Sequence, residues 1–221
     1  MDKQEGYAAL VTSRKVCHLC EGLTNPSDCS NGASVAKHIG PWTQWQGNLD
    51  PKLMIVGQDW GDTTSFEPYQ GQDSDHNPSN MVLRELLYSI GIETDPPSRA
   101  DKVHENVFLT NAILCLKKGG LGGPVRSIWF DNCGRHFLRP TIDLIQPRVL
   151  VSLGKYAFQS IGKLYDLPKM QFRDAVNQPE GFELSNGWRF FAMYHCSPRV
   201  LYSHRSKEQQ KADWLRVKRV Q

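Results

Sequence analysis

Four short apolar runs alternate with helical patterns along most of this chain, and this alternation constrains its fold more than any other feature. The runs are LMIVG, VFLTN, RVLVSLG and WRFFAMYH, at residues 53–57, 107–111, 148–154 and 188–195. Their length and their β-branched or aromatic content are typical of buried strands. Strands that alternate with helices indicate a mostly parallel sheet, because the crossover connections place helices on both of its faces. The sequence therefore predicts a three-layer α/β/α fold around a central, mostly parallel four-stranded sheet.

Helical patterns fill the intervals between the predicted strands. In SNMVLRELLYSIG the apolar side chains share one face, and we expect an N-cap at Ser79 and a stop at Gly91. FDNCGRHFLRPTIDLIQ predicts a helix that runs up to Pro147 and bends at Pro140. KYAFQSIGKL and the terminal SKEQQKADWLRVKRV complete the alternation.

The length and composition set the outer limits of the interpretation. A chain of 221 residues suits one sizeable core, so we expect a single domain over residues 1–221. We expect its N-terminal segment, 1–52, to be irregular and to need a cross-link that keeps it ordered, because residues 17–52 are rich in Gly, Asn, Pro and Ser. No apolar run approaches the roughly 20 residues that span a bilayer, and no signal-peptide h-region is present. The sequence therefore predicts a cytoplasmic protein without a membrane partner.

The net charge of +3, from 26 Lys+Arg against 23 Asp+Glu, permits a polyanionic partner without requiring one. KKGGLGGP, at residues 117–124, is either a flexible surface turn or a loop with backbone donors that DNA phosphates can approach closely. Trp42, Trp45 and Trp60 lie in stretches without periodicity. Packing is the more common role for such residues, and stacking on a nucleic-acid base is the alternative.

Polar residues follow the predicted strands where ligands of parallel sheets bind, at the carboxyl ends. Asp59 follows the first strand. Its carboxylate either caps the next helix or orients a water and stabilises a developing cation. Asp62 suits the capping role better, since TTSFE follows it. Asn111 ends the second strand, and its amide either satisfies the strand end or matches the imide edge of a pyrimidine with one donor and one acceptor.

His195 ends the fourth predicted strand and opens the loop YHCSPRVL. Taken alone, a histidine in this position is more often a core residue bonded to a carbonyl. The tight loop that follows, with Ser197 inside it and Arg199 at its tip, favours another role. Such a loop can place the imidazole against a substrate oxygen while the serine and backbone amides hold a phosphate.

Six cysteines in a chain expected to be intracellular indicate metal or redox use more than disulfides. Cys17 and Cys20 form a CxxC pair, whereas Cys115 and Cys133 are isolated. A pair and two isolated thiols can hold zinc or an iron–sulfur cluster, and this spread spacing favours the cluster. Separately, each isolated cysteine is also explained as a small buried hydrophobe. The remaining two differ: Cys29 can substitute for one ligand, and Cys196 is the least suited.

The order of these motifs resembles the uracil-DNA glycosylase superfamily, and especially its iron–sulfur, family-four type. The resemblance is closest over residues 103–165, where Thr-Asn, a lone Cys, a second Cys and PRVLVSLG follow one another as they do in that branch. The N-terminal CxxC also matches, and YHCSPR resembles the superfamily's His-Pro-Ser-Pro loop with Cys196 in place of proline. The resemblance implies a monomeric DNA-repair glycosylase that hydrolyses the N-glycosidic bond of a flipped-out deaminated base, most of all uracil, in single- or double-stranded DNA.

The resemblance also implies roles for individual residues. Asn111 would read the uracil edge, and His195 would stabilise negative charge on the uracil O2. Asp59 would assist the cation-like sugar and place the attacking water. Arg199 would wedge into the gap left in the duplex. A structural four-iron, four-sulfur (4Fe–4S) cluster, with zinc as the less favoured alternative, would be ligated by Cys17, Cys20, Cys115 and Cys133.

The first motif, Gly57-Gln58-Asp59-Trp60-Gly61, departs from the Gly-Glu-Ala-Pro-Gly of the iron–sulfur branch. Its first three residues resemble the Gly-Gln-Asp of the classical uracil-DNA glycosylases, in which the aspartate activates water. We therefore expect Gly57, Gln58 and Trp60, together with Ser197, to bind substrate.

The branch also has a Pro-Phe whose phenylalanine stacks on uracil, and DSDHNPSN stands in its place here. Phe66, Tyr69 and His76 are the candidates to replace that phenylalanine. Two other functions stay open at this point. One is a superfamily member that binds damaged or single-stranded DNA with little glycosylase activity, and the other is a metal-stapled hydrolase acting on nucleotides.

Overall fold

A central sheet organises the computed structural model. The structure describes residues 2–29, 37–69, 71–99, 106–120, 122–184 and 187–220. The strands are β1 Leu53–Gly57, β2 Val107–Asn111, β3 Val149–Leu153, β4 Phe182–Glu183 and β5 Arg189–Met193. They are arranged in the order β2-β1-β3-β5-β4, and all neighbours are parallel except β4 and β5. The predicted α/β class is confirmed, but the sheet has five strands instead of four. The fifth, β4, is not predicted because its two residues are too few to show a period.

Helices cover both faces of this sheet. In chain order they are α1 Lys3–Lys15, α2 Pro41–Trp45, α3 Thr63–Phe66, α4 Pro78–Ser89, α5 Ser127–Cys133, α6 Arg139–Ile145, α7 Lys155–Leu164, α8 Phe172–Val176, α9 Pro198–Ser203 and α10 Lys207–Lys218. Short 3-10 helices lie at Pro26–Asp28, Glu67–Tyr69 and Pro97–Arg99. In the described part of the chain, no helix combines the length and the apolar character that crossing a membrane demands.

Each face of the sheet has its own hydrophobic core, because alternate residues of a strand point in opposite directions. From β1, Met54 and Val56 pack in one core with side chains of α1, α5, α6 and α7. Leu53 and Ile55 pack in the other with side chains of α2, α4 and α10. Burial on both faces is the reason that the central strands read as continuous apolar runs. The predicted three layers are confirmed.

The N-terminal segment contains more regular structure than expected. The prediction that residues 1–52 are irregular is wrong for α1, whose 13 residues are mostly polar or charged and carry little periodic signal. Tyr7 and Val11 anchor α1 in the core beneath it. Near its end, Arg14 is only 1% exposed and donates to Oδ1 of Asn25 at 3.0 Å. The loop after α1 is therefore tied to the helix by a buried guanidinium.

Helix α4 begins earlier than the sequence predicts. Its N-cap is Asn77, whose Oδ1 accepts from the backbone N–H of Ser79 at 2.9 Å and of Asn80 at 3.3 Å. The prediction of Ser79 as N-cap is wrong because Pro78 serves as the first helical residue, where its missing N–H costs nothing. The predicted stop is confirmed, since α4 ends before Gly91, which has a φ of +83°.

The predicted helix before Pro147 is continuous but irregular. A π turn over Gly134–Leu138 joins α5 to α6, and the backbone N–H of Arg139 donates to the carbonyl of Gly134. Pro140 follows directly, and it has no N–H to offer a regular helix. The irregularity therefore takes the form of a widened turn just before the proline, where the sequence predicts a bend.

Replacing Trp214 by alanine tests the core between α10 and the sheet. Trp214 is fully buried, at 0% exposure, so its loss should lower the free energy of unfolding by about 3–5 kcal/mol in urea denaturation. Its neighbour Leu215 is 46% exposed, and Leu215→Ala should cost less than about 1 kcal/mol. Equal losses for the two variants would contradict the packing described.

Candidate active site

The carboxyl ends of three parallel strands border one open cleft. Gly57 ends β1 beside Asn111 at the end of β2, in parallel register, and His195 follows β5. All the residues predicted to be catalytic or to bind substrate line this active-site cleft, namely Gly57, Gln58, Asp59, Trp60, Asn111, His195, Ser197 and Arg199.

Asp59 has both carboxylate oxygens engaged. Oδ1 accepts from Nζ of Lys117 at 2.7 Å, and Oδ2 accepts from Nε2 of Gln58 at 2.6 Å. The side chains of Asp59 and Lys117 are 6% and 3% exposed. A buried carboxylate is stable when it is paired and hydrogen-bonded, and this arrangement also limits its rotation. The acid is therefore held in one orientation at the end of β1.

Asp62 has the capping role that the sequence predicts. It is the N-cap of α3, and its Oδ1 accepts from the backbone N–H of Ser65 at 2.9 Å. Hydrogen bonds with Ser65 lower the pKa of Asp62 below its ordinary value. Asp62 does not line the cleft, so Asp59 and Asp62 differ in position as well as in role.

His195 is half-buried, and its tautomer follows from its hydrogen bond. The backbone N–H of Ser197 donates to Nδ1 of His195 at 3.1 Å. Burial lowers the pKa of His195, and the charge of Asp59 opposes this effect only in part. The imidazole is therefore neutral at pH 7, with its proton on Nε2, where it can be donated to a ligand in the cleft.

Close approach between β1 and β2 requires glycine at position 57. A Cβ on Gly57 would overlap with Oδ1 of Asn111 and lie 2.7 Å from the indole ring of Trp42. Trp42 belongs to α2 and is 9% exposed. The absence of a side chain on Gly57 thus allows an amide and an aromatic ring to meet at the side of the cleft.

None of the three aromatic candidates for stacking on a base lines this cleft. Phe66 is fully buried in a small apolar cluster, so the expectation for it is wrong. Tyr69 and His76 border a separate, neighbouring cleft. Among the described residues, the indole rings that line the active-site cleft are Trp42 and Trp60.

Lys117 is the main residue that sequence reasoning missed. It is 2% exposed, whereas the adjacent Lys118 is exposed. The only available signal was its place in the loop that leaves β2, and no local pattern distinguishes one lysine of the pair from the other. A polar side of the cleft was also missed, formed by residues before and within the first turn of α4, which are Asp73, Asn77, Ser79 and Asn80.

A second cavity, the cysteine cavity, collects the four predicted metal ligands. Cys17, Cys20, Cys115 and Cys133 all line it. Nδ2 of Asn132 donates to Sγ of Cys20 at 3.5 Å. A hydrogen bond between Cys20 and Cys133 lowers the pKa of Cys20 and raises the pKa of Cys133. The fold therefore brings together thiols that lie far apart in the sequence.

The cysteine cavity excludes the other two cysteines and includes a cation. Cys29 packs near Phe66, and Sγ of Cys196 donates to the carbonyl of Ser79 at 3.2 Å. Arg14 lines the cavity with the four thiols. Across the described residues, no group of three or more His, Cys, Asp or Glu is arranged to hold a metal ion.

A family comparison adds to this geometry. The family model of the uracil DNA glycosylase superfamily matches residues 44–218. This range contains every residue named above for the active-site cleft except Trp42, and it also contains Cys115 and Cys133. The chain belongs to the uracil DNA glycosylase superfamily, as its motifs predict.

Two curated proteins show the same relationship. The chain is 26% identical over 179 residues to the type-4 uracil-DNA glycosylase of Archaeoglobus fulgidus, and the aligned region covers 77% of each chain. It is also 26% identical over 214 residues to the type-5 uracil-DNA glycosylase of Pyrobaculum aerophilum, and the aligned region covers 88% of each chain. The chain thus shares similarity with two types of the superfamily at the same level of identity.

Titration of His195 tests the tautomer. In ¹⁵N NMR, the Nδ1 resonance should report an unprotonated nitrogen at pH 7, and the midpoint should lie below the ordinary 6.5 because burial disfavours the cation. The stability linked to this group is present above about pH 6.5 and decreases as the pH falls, because the unfolded chain binds the proton more tightly. A midpoint at or above 6.5, or a proton on Nδ1, would contradict the assignment.

Proposed function

We propose that this chain is a DNA glycosylase that hydrolyses the N-glycosidic bond of a deaminated base in DNA, with uracil as the first candidate. The observation that carries the proposal is the convergence of Asp59, Asn111 and His195 on one cleft at the carboxyl ends of parallel strands. Membership of the superfamily and similarity to type-4 and type-5 uracil-DNA glycosylases support the same reaction.

The cleft suits a base that has been turned out of the helix. Enzymes that act on a base in a duplex extrude it into a pocket, where polar groups read its edge and apolar groups contact its faces. The amide of Asn111 offers one donor and one acceptor, which match the imide edge of uracil. Trp42 and Trp60 supply aromatic surface in the same cleft.

His195 is suited to stabilise the departing base. When the N-glycosidic bond breaks heterolytically, negative charge develops on the base and its carbonyl oxygens. A neutral imidazole with its proton on Nε2 donates a hydrogen bond to such an oxygen, and the interaction strengthens as the charge grows. The backbone N–H of Ser197 on Nδ1 keeps this tautomer in place.

Asp59 is suited to the sugar side of the reaction. A carboxylate has about four lone-pair sites, so the bonds to Lys117 and Gln58 leave capacity for a water molecule. The same negative charge favours a cation-like deoxyribose, and the held water is directed at the carbon from which the base departs. Asp59 therefore has the chemistry of a residue that positions water and stabilises the developing cation.

Ser197 and Arg199 are suited to hold the DNA strand. Ser197 is the N-cap of α9, and Arg199 is exposed in the first turn of this helix. A hydroxyl and a guanidinium bind phosphate without reading sequence. From its exposed position Arg199 can enter the space that the extruded base leaves.

We further propose that the cysteine cavity holds a 4Fe–4S cluster, with Cys17, Cys20, Cys115 and Cys133 as ligands. The donor set fits, because four thiols line one cavity and thiolates are the ligands of such clusters. The buried cation of Arg14 at the same cavity favours an anionic group there. When bound, the cluster would supply a cross-link between the N-terminal loop, the loop after β2 and the end of α5. Cys29 and Cys196 have no part in it.

A strand-cleavage assay tests the reaction. End-labelled oligonucleotides carrying uracil opposite G, opposite A or in single strands are incubated with the protein, and abasic sites are then cleaved with alkali. We expect cleavage at uracil, and Asp59→Asn and His195→Ala should each slow it about 10²- to 10⁴-fold. Asp62→Asn is the matched control and should keep the parent rate, because asparagine caps a helix as well as aspartate.

The assay also separates the alternatives. Salt-dependent binding without product would favour a DNA-binding protein, and indifference to DNA would favour a nucleotide hydrolase. Absence of cleavage with uracil and also with hypoxanthine rejects the proposal. Full activity of Asp59→Asn would reject the role given to that residue.

Metal analysis of the purified protein tests the cluster. We expect iron and acid-labile sulfide, with a broad visible absorbance that reduction bleaches. Cys133→Ala should lose this absorbance, whereas Cys29→Ala should retain it because Cys29 lies outside the cavity. A colourless protein that contains zinc would show that the cofactor is wrongly assigned.

A further inference from the structure

We propose that Lys117 is a positioning residue for hydrolysis, which holds the Asp59 carboxylate in a single orientation. This inference rests on the proposed function, because it concerns the carboxylate that would hold the attacking water. Its basis is the hydrogen-bonded ion pair of 2.7 Å between Nζ of Lys117 and Oδ1 of Asp59.

The backbone places Lys117 opposite Asp59. The backbone N–H of Lys117 donates to the carbonyl of Gly61 at 3.0 Å, and a parallel bridge pairs Asp62 with Lys117. These contacts join the loop after β2 to the loop after β1. The lysine therefore reaches Asp59 from a neighbouring loop that is fixed by main-chain hydrogen bonds, which makes its position a product of the fold.

Lys117 and Gln58 hold different oxygens of the same carboxylate. With Oδ1 on the ammonium and Oδ2 on the amide, rotation of Asp59 breaks at least one of two short hydrogen bonds. The lone pairs that remain then point in fixed directions. Precise placement of a catalytic group matters, since a displacement of about 1 Å can cost about 10²-fold in rate.

The charge of Lys117 is as important as its geometry. The Asp59 side chain is 6% exposed, and a buried charge is costly unless it is paired. The described titratable or charged groups that line the cleft around Asp59 are Asp73, Lys117, His195 and Arg199. Of these, Lys117 is the cation that forms an ion pair with Asp59, and His195 is neutral.

Lys118 provides a matched control for Lys117. The two lysines are adjacent, but Lys118 is exposed and Lys117 is buried. Lys118→Met removes the same charge from the same loop without touching Asp59. Lys117→Arg retains the cation, and Lys117→Met removes it while preserving much of the side-chain volume.

Single-turnover cleavage of a uracil oligonucleotide tests the proposal. Lys117→Met should lower the rate constant about 10²-fold at neutral pH with little change in DNA affinity, because the carboxylate loses one of the two bonds that orient it. Lys117→Arg should recover part of the rate, and Lys118→Met should match the parent.

Three results would overturn the proposal. One is an unchanged rate in Lys117→Met. The second is a loss of rate that equals the unfolded fraction measured by circular dichroism. The third is a lowered rate in Lys117→Met of which Lys117→Arg recovers nothing.

A measurement without turnover keeps this test independent of the proposed function. In ¹³C NMR at neutral pH, with Asp59→Asn used for assignment, the Asp59 carboxyl resonance should move in Lys117→Met and keep its parent position in Lys118→Met. If the parent cleaves no oligonucleotide, the glycosylase proposal fails, and this comparison still decides whether Lys117 holds the Asp59 carboxylate. The same carboxyl resonance in Lys117→Met and in the parent would reject the role of Lys117.

Discussion

Parallel pairing of β1 with both β2 and β3 is the constraint on which the rest of the molecule depends. Because neighbouring strands run in the same direction, their carboxyl ends lie at one edge of the sheet, and the loops of the cleft begin there. The pairing of Gly57 with Asn111 brings an amide against a backbone that only glycine can provide. The cores on the two faces fix this edge in turn, so the geometry of the cleft is supported by most of the buried side chains.

Both candidate sites contain buried charged groups. Asp59 and Lys117 lie in the cleft, and Arg14 lines the cysteine cavity. Charges buried in a protein are costly unless they are paired, and an apolar pair of similar volume is often at least as stable. A buried pair at a candidate site can therefore have a chemical role beside a structural one. Lys117 satisfies both, since it compensates the charge of Asp59 and fixes its orientation.

The sequence predicts the architecture well where burial is symmetric. Central strands are apolar along their whole length, and the rule that ligands bind at strand ends selects Asp59, Asn111 and His195. Prediction fails where local signals are weak or where contacts are distant in sequence. Strand β4 has two residues, α1 is mostly polar, and its burial depends on tertiary packing. Lys117 differs from Lys118 only in what lies across the loop, which no local pattern contains.

The loop after β5 places the chemistry of His195 under the control of the main chain. Because the donor to Nδ1 is the backbone N–H of residue 197, the tautomer is indifferent to which side chain stands there, provided that it is not proline. Residue 196 takes no part in that hydrogen bond, and in this chain it is a cysteine. That cysteine donates to the carbonyl of Ser79 and joins the loop to the first turn of α4. The residue between the imidazole and its donor thus attaches the loop to a neighbouring helix.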